Sequence, residues 1–241
     1  MKRFGINALQ LKLLAMAFML LDHMWATVIH GNDWMTCVGR LALPIFAFQI
    51  AEGYVHTHDP KAYRRRLLLW ALISEIPFNL MAAGRFIYPI HQNTLFTFCL
   101  SLFVIERIER AWKRGGVFGM AMAGAWPWIG YLLGFLGFVD YYGYGVLICV
   151  MFYVCRKNKV AQLIVMVLVN VFWMGGLGYP VEFLGWEWFV PQQAFAVLAL
   201  IPIWLYNGEQ GPYNRTIRRI CYAFYPAHIL VLALIGMVVL N

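Results

Sequence analysis

LKLLAMAFMLLDHMWATVIH, residues 11–30, is the stretch whose reading decides the fold. Apart from Lys12, Asp22, His23, Thr27 and His30 it is apolar throughout. A helix needs about 20 such residues to cross a hydrocarbon core of about 30 Å. At 1.5 Å per residue, Asp22 and His23 then sit roughly 16 Å in, near the midplane. No small-x-small cleavage site follows Lys2 and Arg3, so the stretch reads as an uncleaved first span rather than a leader.

Runs of the same kind recur along the chain, at about 37–54, 67–83, 93–108, 117–138, 142–155, 160–178, 188–206 and 220–240. Nine spans joined by brief connections predict an all-α polytopic membrane protein forming a single domain over 1–241. Trp126-Pro127-Trp128 and Pro191 predict local breaks in the fifth and eighth spans. Composition agrees: 62% of the 241 residues are hydrophobic, 12% are charged and the mean hydropathy is +0.67. Soluble domains are about 45–50% apolar and about 25% charged. A water-soluble domain, a disordered or collagen-like chain, a coiled coil and a free nucleic-acid-binding domain are thereby excluded.

The net charge of +8 is explained by placement. With the N-terminus inside, segments 1–12, 55–66, 107–116, 156–159 and 207–219 face the cytoplasm. They hold every Lys and Arg except Arg40 and Arg85. This is the positive-inside pattern of an odd number of spans, with the N-terminus cytoplasmic and the C-terminus outside. The five cysteines form no C-x-x-C pair and lie mostly in apolar runs, which points to neither a metal site nor a disulfide framework. Ser74 and Ser101 are the only serines, and neither lies in G-x-S-x-G. Gly175-Gly176-Leu177-Gly178 is no dinucleotide loop, and Asp140-Tyr141-Tyr142-Gly143-Tyr144-Gly145 lacks the pore helix that a potassium filter requires.

Ionisable residues inside spans are costly and face the protein interior or a wet cavity. The first span carries Asp22 and His23. The second carries Arg40 toward its outer end and Glu52 at its inner end; the third carries Glu75, then Pro77 and Asn79. Gln92 and Asn93 open the fourth, and the ninth carries Tyr225, Pro226 and His228 near mid-depth. His23 and His228 stand at similar depth on helices that could pack side by side, so two imidazoles from opposite ends of the chain are expected to share one hydrated pocket. Histidine suits general-base work near neutral pH. Neighbours on a helix point about 100° apart, so Asp22 does not pair with His23, and Arg40 on the next span is its expected partner. Plainer readings stand beside these: a structural ion pair for Asp22–Arg40, inter-helix hydrogen bonding for His23, His228 and Glu75, solvated His56 and His58, and a topology signal for Arg64-Arg65-Arg66.

These residues fall in motifs. Leu11–Met16 with Asp22-His23 come first, followed by Gly39-Arg40 through Pro44 to Phe48 and by Ala51-Glu52-Gly53-Tyr54. Ala71 through Ser74-Glu75-Ile76-Pro77-Phe78, Asn93 through Thr97, and Phe224-Tyr225-Pro226-Ala227-His228 complete the set. Together and in this order they resemble the TraX family, whose founding activity is acetylation of the N-terminus of a conjugative pilin. The match is dense over 11–98 and 221–231 and sparse over 115–210. Where the family often carries Asp after Ile-Pro-Phe, this chain has Asn79.

The resemblance implies a bacterial inner-membrane acetyltransferase, with acetyl-CoA as acyl donor and no metal. The acceptor would be an amine or hydroxyl, on a protein N-terminus or on an envelope glycan or lipid. His23 would act as base, His228 as co-catalyst or orienter, and Glu75 would position one histidine. Asp22 and Arg40 would fix the helices, and Glu52, Asn93 and Tyr225 would have positioning roles. Arg64, Arg65, Arg66, Arg215 and Arg218 would grip the CoA phosphates. The competing expectation is a proton-coupled small-molecule transporter with His23, Glu75 and His228 as relay, although the mirrored, interrupted span pairs of many transporters are missing from the sequence.

Overall fold

The computed structural model describes residues 4–183, 185–212 and 214–239. Five helical stretches among them are long and apolar enough to cross a membrane: Ala8–Thr27, Trp34–His56, Pro60–Ala83, Gly116–Leu136 and Arg215–Val238. Three apolar helices are shorter, at Tyr142–Val154, Lys159–Trp173 and Gln192–Trp204. Lys2 and Arg3, counted above among the cytoplasmic charges, and Leu240 of the ninth run lie outside the described residues. The chain folds as two compact units, each built from two separate stretches.

The first unit takes the chain to Gln49 together with Cys155–Arg215. Its first helix, α1 (Ala8–Thr27), starts at a capping box: Asn7 Oδ1 accepts from Gln10 N at 3.0 Å and Gln10 Oε1 from Asn7 N at 2.9 Å. Helix α2 (Trp34–Gly39) packs against α1. Helix α3 (Ala42–His56) follows directly. Pro44 has no N–H to give to the carbonyl of Arg40 four residues back, so the interruption between α2 and α3 falls at Arg40-Leu41. Later come α8 (Lys159–Val167), continued by a π-helical turn over Leu168–Trp173, then two strands, a 3-10 turn over Gln192–Ala199, and α9 (Leu200–Trp204). Buried amides tie this half together. Gln193 Nε2 donates to Asn170 Oδ1 at 3.0 Å, and Trp204 Nε1 to Gln162 Oε1 at 2.8 Å.

The chain is otherwise helical, consistent with the all-α membrane protein expected, and one hairpin interrupts it. β1 (Gly178–Phe183) and β2 (Trp186–Pro191) form an antiparallel hairpin with Val181 opposite Trp188 and Glu182 opposite Glu187. The seventh run was expected to be helical to 178 and the eighth from 188, and both lose that end to the hairpin. The cause is local: Gly175, Gly176 and Gly185 adopt left-handed backbone, and β-branched and aromatic residues fill the strands. Pro191 therefore ends a strand instead of breaking a helix.

The second unit comprises Ile50–Val154 and the residues from Thr216 on. Helix α4 (Pro60–Ala83) has Asp59 accepting from Ala62 N at 2.8 Å and Pro60 in its first turn, and it ends at Gly84 with φ 62°. Helix α5 (Thr94–Arg114) is capped by Asn93, whose Oδ1 accepts from Leu95 N at 3.1 Å. Helix α6 (Gly116–Leu136) runs unbroken through Pro127, so the break expected there does not occur; helices in apolar surroundings tolerate proline. Gly119, Ala123, Gly130 and Gly134 form its buried stripe, and a Cβ on Gly130 would stand 2.7 Å from Val104 Cγ2 and 3.0 Å from Val146 Cγ1. Helix α7 (Tyr142–Val154) is nearly all buried, while α4, α6 and α10 (Arg215–Val239) expose large apolar side chains such as Leu72, Leu136 and Leu234. A band of that kind suits lipid, because a soluble surface rarely exposes so much apolar area.

Candidate active site

Each unit carries a polar cluster on otherwise apolar helices. In the first unit, Arg40 Nη2 lies 3.8 Å from Asp22 Oδ1, as its spacing predicts. Thr36, fully buried, joins them: its hydroxyl donates to Asp22 Oδ1 at 2.7 Å and accepts from Arg40 Nη2 at 3.0 Å. Arg40 Nη2 also reaches Gln192 Oε1 at 3.4 Å, and Gln192 Nε2 donates to Tyr179 Oη at 3.2 Å, so the hairpin end is linked to the ion pair. Gly39 makes the approach possible, since a Cβ there would collide with the Asp22 side chain. His23 follows on α1, half-buried, and its backbone carbonyl accepts from Thr27 Oγ1 at 2.6 Å.

The second unit holds a larger cluster. Asn93, fully buried, donates from Nδ2 to Glu75 Oε2 at 2.6 Å and to Ala71 O at 2.9 Å, so Glu75 and Asn93 come together as positioning partners. Two residues that sequence reasoning did not select stand beside them. His91 Nε2 contacts Asp140 Oδ1 at 3.2 Å. Asp140 also accepts from Thr94 Oγ1, and from Tyr141 N at 3.1 Å. His91 lies in the loop after α4, outside the spans. Its hydrogen bond to Asp140 holds it above the ordinary imidazole value, with attraction from Asp140 and Glu75 adding and burial opposing. The available signal was an acid directly after the fifth run and a histidine directly before the fourth.

On α10, Tyr225 is 7% exposed, its hydroxyl within electrostatic reach of Asp140 and Glu75. His228, one turn on, is buried. Its Nδ1 lies 2.7 Å from the carbonyl of Phe224, and its ring stacks on Phe224 at 4.6 Å. A carbonyl only accepts, so Nδ1 carries the proton and Nε2 is the basic nitrogen.

The arginines expected at CoA are placed differently from one another. Arg64 Nη1 is bound to Glu106 Oε2 at 2.6 Å, and Arg110 shares that carboxylate. Arg65, Arg66, Arg215 and Arg218 are exposed. Trp70 of α4 stacks on Tyr222 of α10 at 5.8 Å, and Arg66 and Arg218 each stand one turn from that stack along their own helix. Glu52 pairs with His56 on α3, at 3.6 Å to its side chain. Asn79, buried, donates to Phe86 O at 3.1 Å, a loop-closing role for which no charge is needed.

The sequence pattern of the family described as TraX protein matches residues 8–236. Over 116 residues the chain is 30% identical to a "Probable fimbrial assembly protein FimC, serogroup H1" of Dichelobacter nodosus, covering 43% of this chain and 47% of that protein. The chain thus spans about half the length of this curated relative. No solved structure matches. With nearly all of its described length inside the family pattern, and with the motif residues Asp22, Arg40, Glu75 and Asn93 gathered in polar clusters on apolar helices, the chain belongs to the TraX family.

Proposed function

We propose that this protein is a membrane-embedded acyltransferase that moves an acetyl group from cytoplasmic acetyl-CoA to an acceptor amine or hydroxyl at or across the bilayer. The acceptor is a pilus subunit or another envelope molecule; the fimbrial description of the relative supports the first. The observation that carries the reading is the pair of hydrogen-bonded acid clusters, Asp22–Thr36–Arg40 and Glu75–Asn93, kept on helices that otherwise expose hydrocarbon. Structural ion pairs alone give little stability inside a low-dielectric environment, and polar groups there mark chemistry or transport.

In this reading the chain crosses the inner membrane nine times, with its N-terminus cytoplasmic and its C-terminus outside. The helices too short to span unaided do so inside the bundle. Arg66, Arg215 and Arg218 face the cytoplasm and receive the CoA phosphates, with Arg65 beside them and Arg64 held back by Glu106. His23 takes the proton released as the acceptor attacks the thioester. His228, basic at Nε2, orients the substrate. General-base catalysis contributes about 10²–10⁴-fold.

The test uses the purified chain in lipid nanodiscs with labelled acetyl-CoA, following CoA release and label transfer to a peptide amine. His23→Ala should lower transfer at least about 10²-fold while leaving the protein folded. Wild-type transfer by both His23→Ala and His228→Ala overturns the assignment of these residues. Absence of CoA binding, together with proton-linked solute flux in vesicles, replaces the enzyme with a transporter.

A further inference from the structure

In the first unit, the hairpin β1–β2 has two unlike faces. Side chains alternate along each strand, and residues directly opposite across the ladder share a face. The register sets Tyr179 with Val190 and Val181 with Trp188 on one face, joined by Trp186 two residues before Trp188. The other face holds Pro180 with Phe189 and Glu182 with Glu187. Trp186 is 72% exposed, Trp188 59% and Val181 42%, so no described part of the chain covers them. A two-stranded hairpin is marginal alone in water, and one with a bare apolar face needs a surface to lie on.

The anchoring of the hairpin shows which surface that is. Tyr179 Oη accepts from Gln192 Nε2 at 3.2 Å and lies 3.6 Å from Cys37 Sγ. Cys37 stands near the start of the membrane-length stretch Trp34–His56. The Tyr179 face therefore looks onto the end of a span. Val181 lies about 7 Å further along the same face, and Trp186 about 13 Å, at the rise of a strand. A helix with its side chains is about 10–12 Å across, so these residues overhang the span and face what surrounds it, which is lipid. Exposed apolar surface also runs along the chain into the hairpin, through Phe172 at the end of the preceding apolar helix and Leu177 at the entrance to β1.

The opposite face is suited to water. Glu182 and Glu187 are exposed, stand opposite each other and have no ion-pair partner among the described residues. No Lys or Arg occurs over residues 174–191. Like charges paired across a ladder repel, and only a high dielectric makes the pair tolerable. Phe189, the aromatic residue on this face, lays its ring over Gly178, where a Cβ would stand 2.7 Å from its Cζ.

We infer that β1–β2 is an interfacial hairpin: it lies in the headgroup layer with Val181, Trp186 and Trp188 pressed into lipid and Glu182 and Glu187 in the aqueous phase. Trp suits that layer because its ring is apolar and its N–H polar. In the proposed topology the layer belongs to the outer leaflet. The inference does not depend on the acyl-transfer reading.

The experiment attaches a nitrobenzoxadiazole fluorophore to single cysteines, Glu182→Cys, Trp186→Cys, Glu187→Cys and Trp188→Cys, in the full chain carrying Cys155→Ser and Cys221→Ser. The three remaining cysteines are buried. The protein is held in nanodiscs of phosphatidylcholine and phosphatidylglycerol. An interfacial apolar face sits about 5–10 Å into the headgroup boundary. A phosphatidylcholine with a nitroxide high on its acyl chain should therefore quench positions 186 and 188 several-fold more than 182 and 187, and aqueous iodide should show the reverse order. Equal quenching at all four positions, or the opposite alternation, overturns the inference. Protection of 186 and 188 from both quenchers also overturns it and assigns that face to a protein partner or a second copy of the chain. A measurement without labels keeps the test open where a cysteine variant fails to fold. The emission lost on combining Trp186→Phe with Trp188→Phe should be blue-shifted and quenched by brominated phosphatidylcholine; lost emission that is red-shifted and insensitive to that lipid overturns the inference.

Discussion

Replacing Gly39 by alanine should separate α1 from α2, which meet where Asp22 faces Thr36 and Arg40. An alanine Cβ at Gly39 collides with Asp22 Cβ and stands 2.8 Å from both Asp22 Cγ and Oδ1. The first of these atoms is fixed to the α1 backbone, so no rotamer of Asp22 relieves the clash, and α1 and α2 must move apart. Movement lengthens the 2.7 Å bond from Thr36 to Asp22 and the 3.8 Å Arg40–Asp22 pair. Losing a hydrogen bond to a charged group costs about 1.5–3 kcal/mol, and overpacking adds about 1–3 kcal/mol. Alanine returns about 1 kcal/mol of helix propensity. The net loss is then about 1.5–5 kcal/mol, measurable by detergent-titrated unfolding followed by circular dichroism.

A double-mutant cycle tests the cause. Thr36→Val should cost about 1.5–3 kcal/mol alone and under about 0.5 kcal/mol in the Gly39→Ala background, because the bond it removes is already broken. Additive costs, or a Gly39→Ala protein as stable as wild type, would refute the argument.

Gly130→Ala should destabilise the second unit by about 1–3 kcal/mol through contact with Val104 and Val146, and Val104→Ala in the same chain should restore much of the loss; equal stability of single and double variants would contradict this. The His91–Asp140 bond should make stability depend on pH. Because the folded His91 value is raised, its contribution is complete below the unfolded value of about 6.5 and fades as pH rises through the folded one. Thermal unfolding in micelles should therefore lose stability over that window in wild type and lose less in Asp140→Asn. An unchanged slope in the variant counts against the pair.

Much of the polar chemistry was legible because helix geometry is local. The depth of Asp22 and its 100° offset from His23 required a partner on the next span, and Arg40 supplied it. Glu75 and Asn93 were each conspicuous as polar residues in or beside apolar runs, though their 2.6 Å bond was not foreseeable. The hairpin was missed because aromatic and β-branched residues score as apolar whether they fill a strand or a span. A run of arginines does not reveal that Glu106 pairs with Arg64 alone among its three members.

By itself, the sequence determined the class of environment and most of the helices that meet it, because apolar runs of membrane length follow from composition. Only the tertiary structure decided which polar groups meet. His91 and Asp140 are 49 residues apart and lie in loops at helix ends, where no periodicity constrains direction. Their pairing depends on how α4, α5 and α6 pack and on Phe138, Tyr141 and Tyr142, whose positive φ shapes the turn after α6. A side chain's neighbours across a bundle are set by packing, and a linear pattern records only the neighbours along its own helix.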